Sequence, residues 1–595
     1  MISHATNAFD SRESNNENTQ TNPVNFLKKS LAVCLTAAML TACNGDDGAQ
    51  GPAGPVGPAG ADGSSSSSSA VANSDGSNVT TSGYVFPSNA VHVEVPVSRL
   101  TTGKVDITEA IQLALFELTD SGIVDATLVL PKGDFAVTDT IMIDSADGLT
   151  LTGHGINETK LDFTDSIGDD GIRFEGGTNI TIRDFSVYEA PKNGIKITNS
   201  QGVHLAYTGT IWEGALNDEN GAYGLYPLQS SNILMEHNYA RGSADAGIYV
   251  GQSTNIIVRE NIAKENVAGI EIENSFNADV YNNLAVGNTG GILVFDLPGL
   301  EQAYGGNVRV FNNQAYANNS ENFAGGGAVG IVPPGTGALI FATSNVEIYN
   351  NEFTDNETAA IEIATYFMAD DDVVGYVVGD GSGNYEATIA NGWSPLLKNI
   401  NIHSNTFARN GADPRGPQIA GTPTLPAFDD MVAGYAGGAA NDLSGVPEAF
   451  PNILYDGIGE LLSNAGALAA WDAVVAQSAK DDGVDHDAFA DGDYICVGTN
   501  VNANNISDAA DATNYLAYEN VNIGLVYGTD ALDATNWSAP GVPASRLLSE
   551  RMDGPARTLL DCITSPTRLA PAEVTFRGKV YGCNGDDLAE PACSL

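Results

Sequence analysis

Cations, cysteine, histidine and long apolar runs are scarce in this sequence, and each shortage excludes something. Of 595 residues only 25 are Lys or Arg, against 74 Asp or Glu, a formal net charge of −49. A surface of that sign repels phosphate backbones and anionic membranes, so nucleic acid is excluded as a partner. Charged residues make up only 17%, which fits neither a coiled coil nor a long exposed helix. No apolar run reaches the roughly 18 residues of a spanning helix. Six cysteines hold no Cys-x-x-Cys pair, and seven histidines are scattered. That argues against a zinc ribbon, attached haem or copper handling. What is present is glycine, 66 residues, and 43% hydrophobic side chains, enough for a large core.

The first 42 residues read as an export signal. Lys28 and Lys29 precede an apolar stretch, Leu31 to Leu40, that is too short to span. Its ending, Leu40-Thr41-Ala42-Cys43, resembles a bacterial lipobox. That resemblance implies cleavage before Cys43 and acylation of its thiol. With Asn44 following, it also implies an outer-membrane lipoprotein of the cell envelope that touches the membrane only through its lipid anchor. Residues 43–85 then form a spacer. Gly45, Gly48, Gly51, Gly54, Gly57, Gly60 and Gly63 keep the three-residue period of collagen, and Ser64 to Ser69 add a flexible hinge. Once Cys34 and Cys43 are set aside, Cys496, Cys562, Cys583 and Cys593 remain. In an oxidising compartment these suggest two disulfides, with three pairings open.

Internal repetition sets the expected fold. Six segments carry an alternating apolar core between asparagines six apart: Asn232–Asn238, Asn255–Asn261, Asn277–Asn283, Asn307–Asn313, Asn345–Asn351 and Asn399–Asn405. A Gly-Ile type strand interleaves with them, as in Gly171-Ile172, Gly194-Ile195, Gly224-Leu225, Gly247-Ile248, Gly269-Ile270 and Gly291-Ile292. Alternation argues for strands, and one short repeat cannot bury its apolar face alone. Stacked repeats share a continuous core with asparagine ladders at the corners. The expectation is an all-β, right-handed parallel β-helix over 126–405. Residues 86–125 would be an N-terminal cap with a helix that begins near Asp106 and buries Ile107, Ile111, Leu115 and Leu118. Residues 406–595 would be irregular rungs, insertions and a disulfide-tied, partly helical end, with a helix over 461–476 and a strand over 518–527.

These residues resemble the right-handed parallel β-helix repeat proteins of the pectin-lyase-like fold. Within that fold, Asp245-Ala246-Gly247-Ile248-Tyr249-Val250-Gly251-Gln252 and Ala268-Gly269-Ile270-Glu271-Ile272-Glu273-Asn274 are similar to exported β-helix lipoproteins without an established biochemical function. The resemblance implies a co-exported partner protein, and for the fold it implies sites along an outward strip of strands.

Strand alternation places Ile172, Ile195, Leu225, Ile248, Ile270 and Ile292 inward. Arg173, Lys196, Tyr226, Tyr249, Glu271 and Leu293 then form one outward column. Glu175, Thr198, Leu228, Gly251, Glu273 and Phe295 form a second. Two cations, two phenols and a carboxylate are the groups that β-elimination or epimerisation of a uronate needs. Glu271 and Glu273, two apart on one strand, suit glycoside hydrolysis instead, with Asp245 close by. Lys196, Tyr226, Tyr249, Glu271 and Glu273 are therefore the candidate catalytic residues. Arg173, Trp212, Tyr223 and Asp245 are candidate substrate contacts, and Gly251 would leave a hollow beside Glu273. A solvated sheet face with ordinary cross-strand pairs is the simpler alternative. The column Asn199, Gln229, Gln252 and Asn274 is expected to be structural.

Other motifs lead less far. Gly153-His154-Gly155 lacks the Asn-Thr-Asp partner motif of polygalacturonases, and no Asp-Pro-His-Asp motif of alginate epimerases occurs. The run from Asp481 to Asp493 has the carboxylate density of a Ca2+ loop without the fixed Gly and terminal Glu of an EF-hand; a solvated acidic loop is the preferred reading. No other cofactor or metal site is expected. Long insertions, including 314–327 and 364–397 with Tyr366, Phe367, Asp370, Asp371, Asp372, Tyr376 and Trp393, are expected to wall a groove. The expected function is binding, with cleavage or epimerisation, of an extracellular polysaccharide; the alternative is a non-catalytic scaffold for a partner protein.

Overall fold

The computed structural model describes residues 78–97, 100, 103–120, 124–366, 369, 391–415, 452–455, 495–497, 500–502 and 568–583. The signal, Cys43, the collagen-like spacer, Cys562, Cys593, the acidic run 481–493 and the segments 461–476 and 518–527 lie outside these residues.

Among the described residues, thirty strands join in one parallel hydrogen-bonded network that winds through about ten turns of a right-handed β-helix. Each full turn contributes three strands. One turn runs through Tyr223–Leu228, Ser231–Glu236 and Tyr239–Arg241, and the next through Ala246–Gly251, Thr254–Arg259 and Ile262–Lys264. The three positions stack into a first, second and third face. Register is strict on the first face, where Ile195 pairs with Leu225, Leu225 with Ile248, Ile248 with Ile270 and Ile270 with Ile292. These side chains are buried in one continuous core. The solenoid continues past Asn405, because Ile453–Tyr455, Ile495–Val497 and Val501–Asn502 add to its three faces.

A helix, Thr108–Asp120, precedes the regular turns. Asp106 accepts from the Thr108 backbone N–H at 2.9 Å, and Ile111, Leu115 and Leu118 bury on one face. That face packs on the strand Ile141–Asp147.

Asparagine brackets divide into two roles. The second asparagine of each pair forms a buried ladder through Asn238, Asn261, Asn283, Asn313, Asn351 and Asn405 to Asn500. Each amide donates to the next side-chain oxygen at 3.0 Å. A parallel ladder runs from Asn266 through Asn288, Asn318 and Asn356 to Asn410. The first asparagines are corner residues in the left-handed backbone region, with φ of 54° at Asn232, 58° at Asn255 and 57° at Asn277. Asn277 and Asn255 form a partly exposed contact at 3.3 Å, so the expectation that they hold the buried ladder is corrected. The Gly-Ile motif has a steric cause here: a Cβ at Gly247 would lie 2.6 Å from the Asn266 side chain.

Segment 568–583 lies along the second face. Val574, Phe576 and Cys583 bury against Leu234, Ile257, Tyr281, Phe311 and Tyr349. Thr575 N–H donates to Asn232 Oδ1 and Leu569 N–H to Glu347 Oε2. Cys583 is disulfide-bonded.

Candidate functional site

The outward columns of the first face form as alternation predicts. Arg173 pairs with Lys196, Lys196 with Tyr226, Tyr249 with Glu271 and Glu271 with Leu293. Alongside, Glu175 pairs with Thr198, Thr198 with Leu228, Leu228 with Gly251 and Gly251 with Glu273. Successive rungs stand about 4.8 Å apart, so neighbours in a column are in direct reach.

Openness is where the expectation fails. Tyr249 is 2% exposed and Glu271 1%. Ala324, Val329 and Val332 from the insertion after Tyr316 and Tyr366, Trp393 and Leu396 from the next insertion pack over the face, beside Leu293, Phe295, Leu339 and Phe341. Trp393 and Tyr366 seal this cluster rather than wall an open groove, and the Trp393 ring N–H donates to the Asp296 carbonyl at 3.2 Å. Loop 317–335 is pinned internally, with the Asn322 amide donating to the Val329 and Val332 carbonyls. Its glycine turn lies over Asp245: a Cβ on Gly327 would stand 3.7 Å from Asp245 Oδ2.

Beneath this cover sits a nest of phenols and carboxyls. Tyr223 and Tyr226 stack at 4.3 Å between ring centroids, and Tyr249 lies 4.8 Å from each. Tyr249 Oη donates to Glu273 Oε1 at 3.0 Å, and Tyr223 donates to Asp245. The hollow expected at Gly251 is filled by this phenol, since a Cβ there would lie 1.9 Å from Tyr249 Oη. Glu271 Oε2 is buried without a hydrogen-bond partner.

Burial decides the charge state of the nest, because a carboxylate stripped of water favours its neutral form. It pushes Asp245 up to about 7 and Glu273 up to about 8, the latter against its bond from Tyr249. Glu271 is raised well above the usual carboxyl range by burial and by the charges of Asp245 and Glu273. The three phenols are raised by burial too. At the open end, Lys196 is half-buried with its ammonium 5.3 Å from the centre of the Tyr226 ring. Burial lowers its pKa, and the positive charges of Arg173 and Lys192 add to the effect. Arg173 contacts Glu175 at 3.6 Å while its Nε has no partner.

Trp212 does not join them. It is buried in the solenoid core and its ring N–H donates to the Ala190 carbonyl at 2.9 Å. His154 is likewise buried, edge-on to Phe86, which is a packing role. Two carboxyls were missed. Glu362 stands in the Glu271 column, through Leu293 and Leu339, and is pushed up to about 8 by burial; extending the column by register would have found it. Asp296, pushed up to about 7 by burial, follows a strand end and carries no periodic signal. Among the described residues no cluster has metal-site geometry.

Residues 139–297 match the family model described as right handed beta helix region. No curated protein matches the chain. Among solved structures, the A-module of a mannuronan C-5 epimerase from Azotobacter vinelandii is similar at 17% identity over 55% of this chain and 88% of that chain, with a TM-score of 0.34. A DFA-IIIase mutant from Arthrobacter chlorophenolicus, in complex with DFA-III, is similar at 11% identity over 62% of this chain and 92% of that chain, TM-score 0.32. The Dettilon tailspike protein is similar at 14% identity over 55% and 63%, TM-score 0.31. Identities and scores this low leave the site to be argued from its own residues.

Proposed function

We propose that this chain is an exported β-helix protein that binds an extracellular polysaccharide along its first face and transfers protons to it for cleavage or epimerisation. The observation that carries this reading is convergence: Lys196, three tyrosines and three carboxyls from successive rungs meet in one largely dry nest. A carboxyl kept neutral by burial is a general acid, and a phenol beside it relays the proton. Glu271, the most strongly held in its neutral form and unpartnered on one oxygen, would serve as the acid, with Asp245 and Glu273, which ionise more readily, as its counterparts. Lys196 and Arg173, at the less covered end, would receive the acidic part of a uronate or the hydroxyls of a neutral sugar. Anchoring through the acylated Cys43 in the outer membrane, and closure of the first turn by the helix Thr108–Asp120, belong to the same proposal.

The test is a panel of neutral and uronic-acid polysaccharides incubated with the purified protein, read for binding by calorimetry and for unsaturated and reducing ends. Binding without new ends, unchanged by substitution of Glu271, would leave the second reading, a non-catalytic scaffold for a co-exported protein.

A further inference from the structure

At the corner between the first and second faces, one residue beyond the second column, the chain builds a polar groove of about 810 Å³. Its lining is made of amides and hydroxyls, with Glu301 as the one charged side chain, and that carboxylate accepts from Gln229 at 2.8 Å. In a protein of net charge −49, a surface concavity so nearly free of carboxylates is unusual chemistry for its setting.

The floor is rigid. Ser200, Ser230, Ser253 and Ser275 form an inner ladder in which each backbone N–H donates to the next hydroxyl at 3.0 Å. Beside it, Asn199, Gln229 and Gln252 all turn the corner with φ near +50° (53°, 50° and 49°). The far wall is equally fixed: Asn274 donates to the Leu297, Gln302 and Ala303 carbonyls, and Gln302 N–H donates to Gln252 Oε1. On this floor, Gln201, Ser231 and Thr254 stand in register on three successive rungs. Gln201 is exposed and Ser231 and Thr254 are partly exposed, and none is engaged by a side-chain hydrogen bond among the described residues.

We infer that this groove is a binding site for an uncharged oligosaccharide lying along the solenoid axis, about one sugar unit per rung. Amides and hydroxyls that can both donate and accept match vicinal sugar hydroxyls, and the lack of any cation leaves nothing to neutralise a uronate. A rung step of about 4.8 Å is comparable to one pyranose unit, so a free polar group recurs once per sugar over three rungs. The inference rests on the glycan reading above, but it places recognition at a separate corner and assigns it a neutral ligand.

The experiment uses the full chain with neutral gluco-, manno- and xylo-oligosaccharides of one to six units, and oligogalacturonate and oligomannuronate as charged counterparts, by calorimetry. Affinity for one neutral series should rise with length up to about three units and then level off. Ser231→Trp, which fills the groove, and the double variant Gln201→Ala/Thr254→Ala should each weaken it about tenfold or more with the melting temperature kept. Lys264→Gln, on the third face and away from the groove, should leave it unchanged. If neutral oligosaccharides bind but both groove variants are inert, the inference is overturned. Binding of charged oligomers alone overturns it too while sparing the nest, and no binding at all overturns both. Groove-dependent binding without turnover supports the groove and removes the nest chemistry.

Discussion

The Tyr249 phenol reaches Glu273 across the space left by the missing side chain at position 251, with Oη to Oε1 at 3.0 Å. Three outward positions on two rungs thus act as one device: the phenol on one rung, a glycine two residues on, and the carboxyl of the next rung beside that glycine. Gly251→Ala would drive a methyl group into the phenol. We expect it to lower stability by about 1–3 kcal/mol through overpacking and loss of the hydrogen bond. Tyr249→Phe should cost about 1–2 kcal/mol and raise the Glu273 pKa further, because the bond from Tyr249 favours the ionised form. Denaturant unfolding of both variants checks this; two melts that match the parent would show the contact to be idle.

Buried carboxyls set an unusual pH profile. Asp245 and Asp296 titrate at about 7, and Glu273 and Glu362 at about 8, all above their unfolded values. Between the unfolded and folded values the native state holds protons that the unfolded chain has released, so stability falls as pH rises. The decline begins near the ordinary carboxyl value of about 4 and levels off above about 8. Glu236 acts in the opposite sense: against burial, the hydrogen bond from His204 and the charges of His204 and Arg259 hold it at about 2, so its contribution is lost only in stronger acid. The melting temperature should therefore peak near about pH 5 and drop toward about pH 8. Glu362→Gln keeps an oxygen for the Thr336 hydroxyl while removing the charge. It should be nearly neutral at about pH 5 and stabilising by about 1–3 kcal/mol at about pH 8. A variant that melts in parallel with the parent at both pH values would contradict the assignment.

The two asparagine rows make separable predictions. Asn283→Leu removes the oxygen to which both the Asn261 backbone N–H and side-chain amide donate, and one of the two donors to the Asn313 oxygen, and should cost about 2–4 kcal/mol. Asn277 is exposed, with φ of 57°. Asn277→Gly should change stability by a few tenths of a kcal/mol at most, since glycine accepts that backbone, whereas Asn277→Leu should cost roughly 1 kcal/mol. Thermal melts of the three variants would expose an error if Asn277→Gly proved the most damaging.

Sequence periodicity carried the solenoid and the membership of each column, because a strict rung register brings Tyr249 beside Glu271 and Glu271 beside Leu293 whatever the loops do. It could not say which asparagine of a bracket is buried: both sit at equal spacing, and only the corner backbone separates Asn277 from Asn283. Nor could it show that Trp393, Val329 and Val332 close over the columns, since that packing joins aperiodic segments to distant rungs. Trp212 misled for a related reason: an indole next to a strand end reads as a platform, yet its ring N–H finds the Ala190 carbonyl inside the core.

The sharpest prediction concerns Glu271. Its Oε2 has no partner, and the group is kept neutral by burial and by the neighbouring charges of Asp245 and Glu273. Glu271→Gln preserves its size and its neutrality at rest, so the fold should hold within about 1 kcal/mol. What it removes is the ability to give up or take a proton. If the nest performs acid–base chemistry, glycan binding should persist while turnover falls by about a hundredfold or more. Tyr249→Ala cannot serve as the companion, because truncating a buried ring opens a cavity costing about 3–5 kcal/mol. Tyr226→Phe is the better control: half-buried beneath Lys196, it keeps the ring and the cation contact and loses only the hydroxyl. Turnover that survives Glu271→Gln at full rate, on a protein that still binds its glycan, would remove Glu271 from the chemistry and shift the first face toward the scaffold reading.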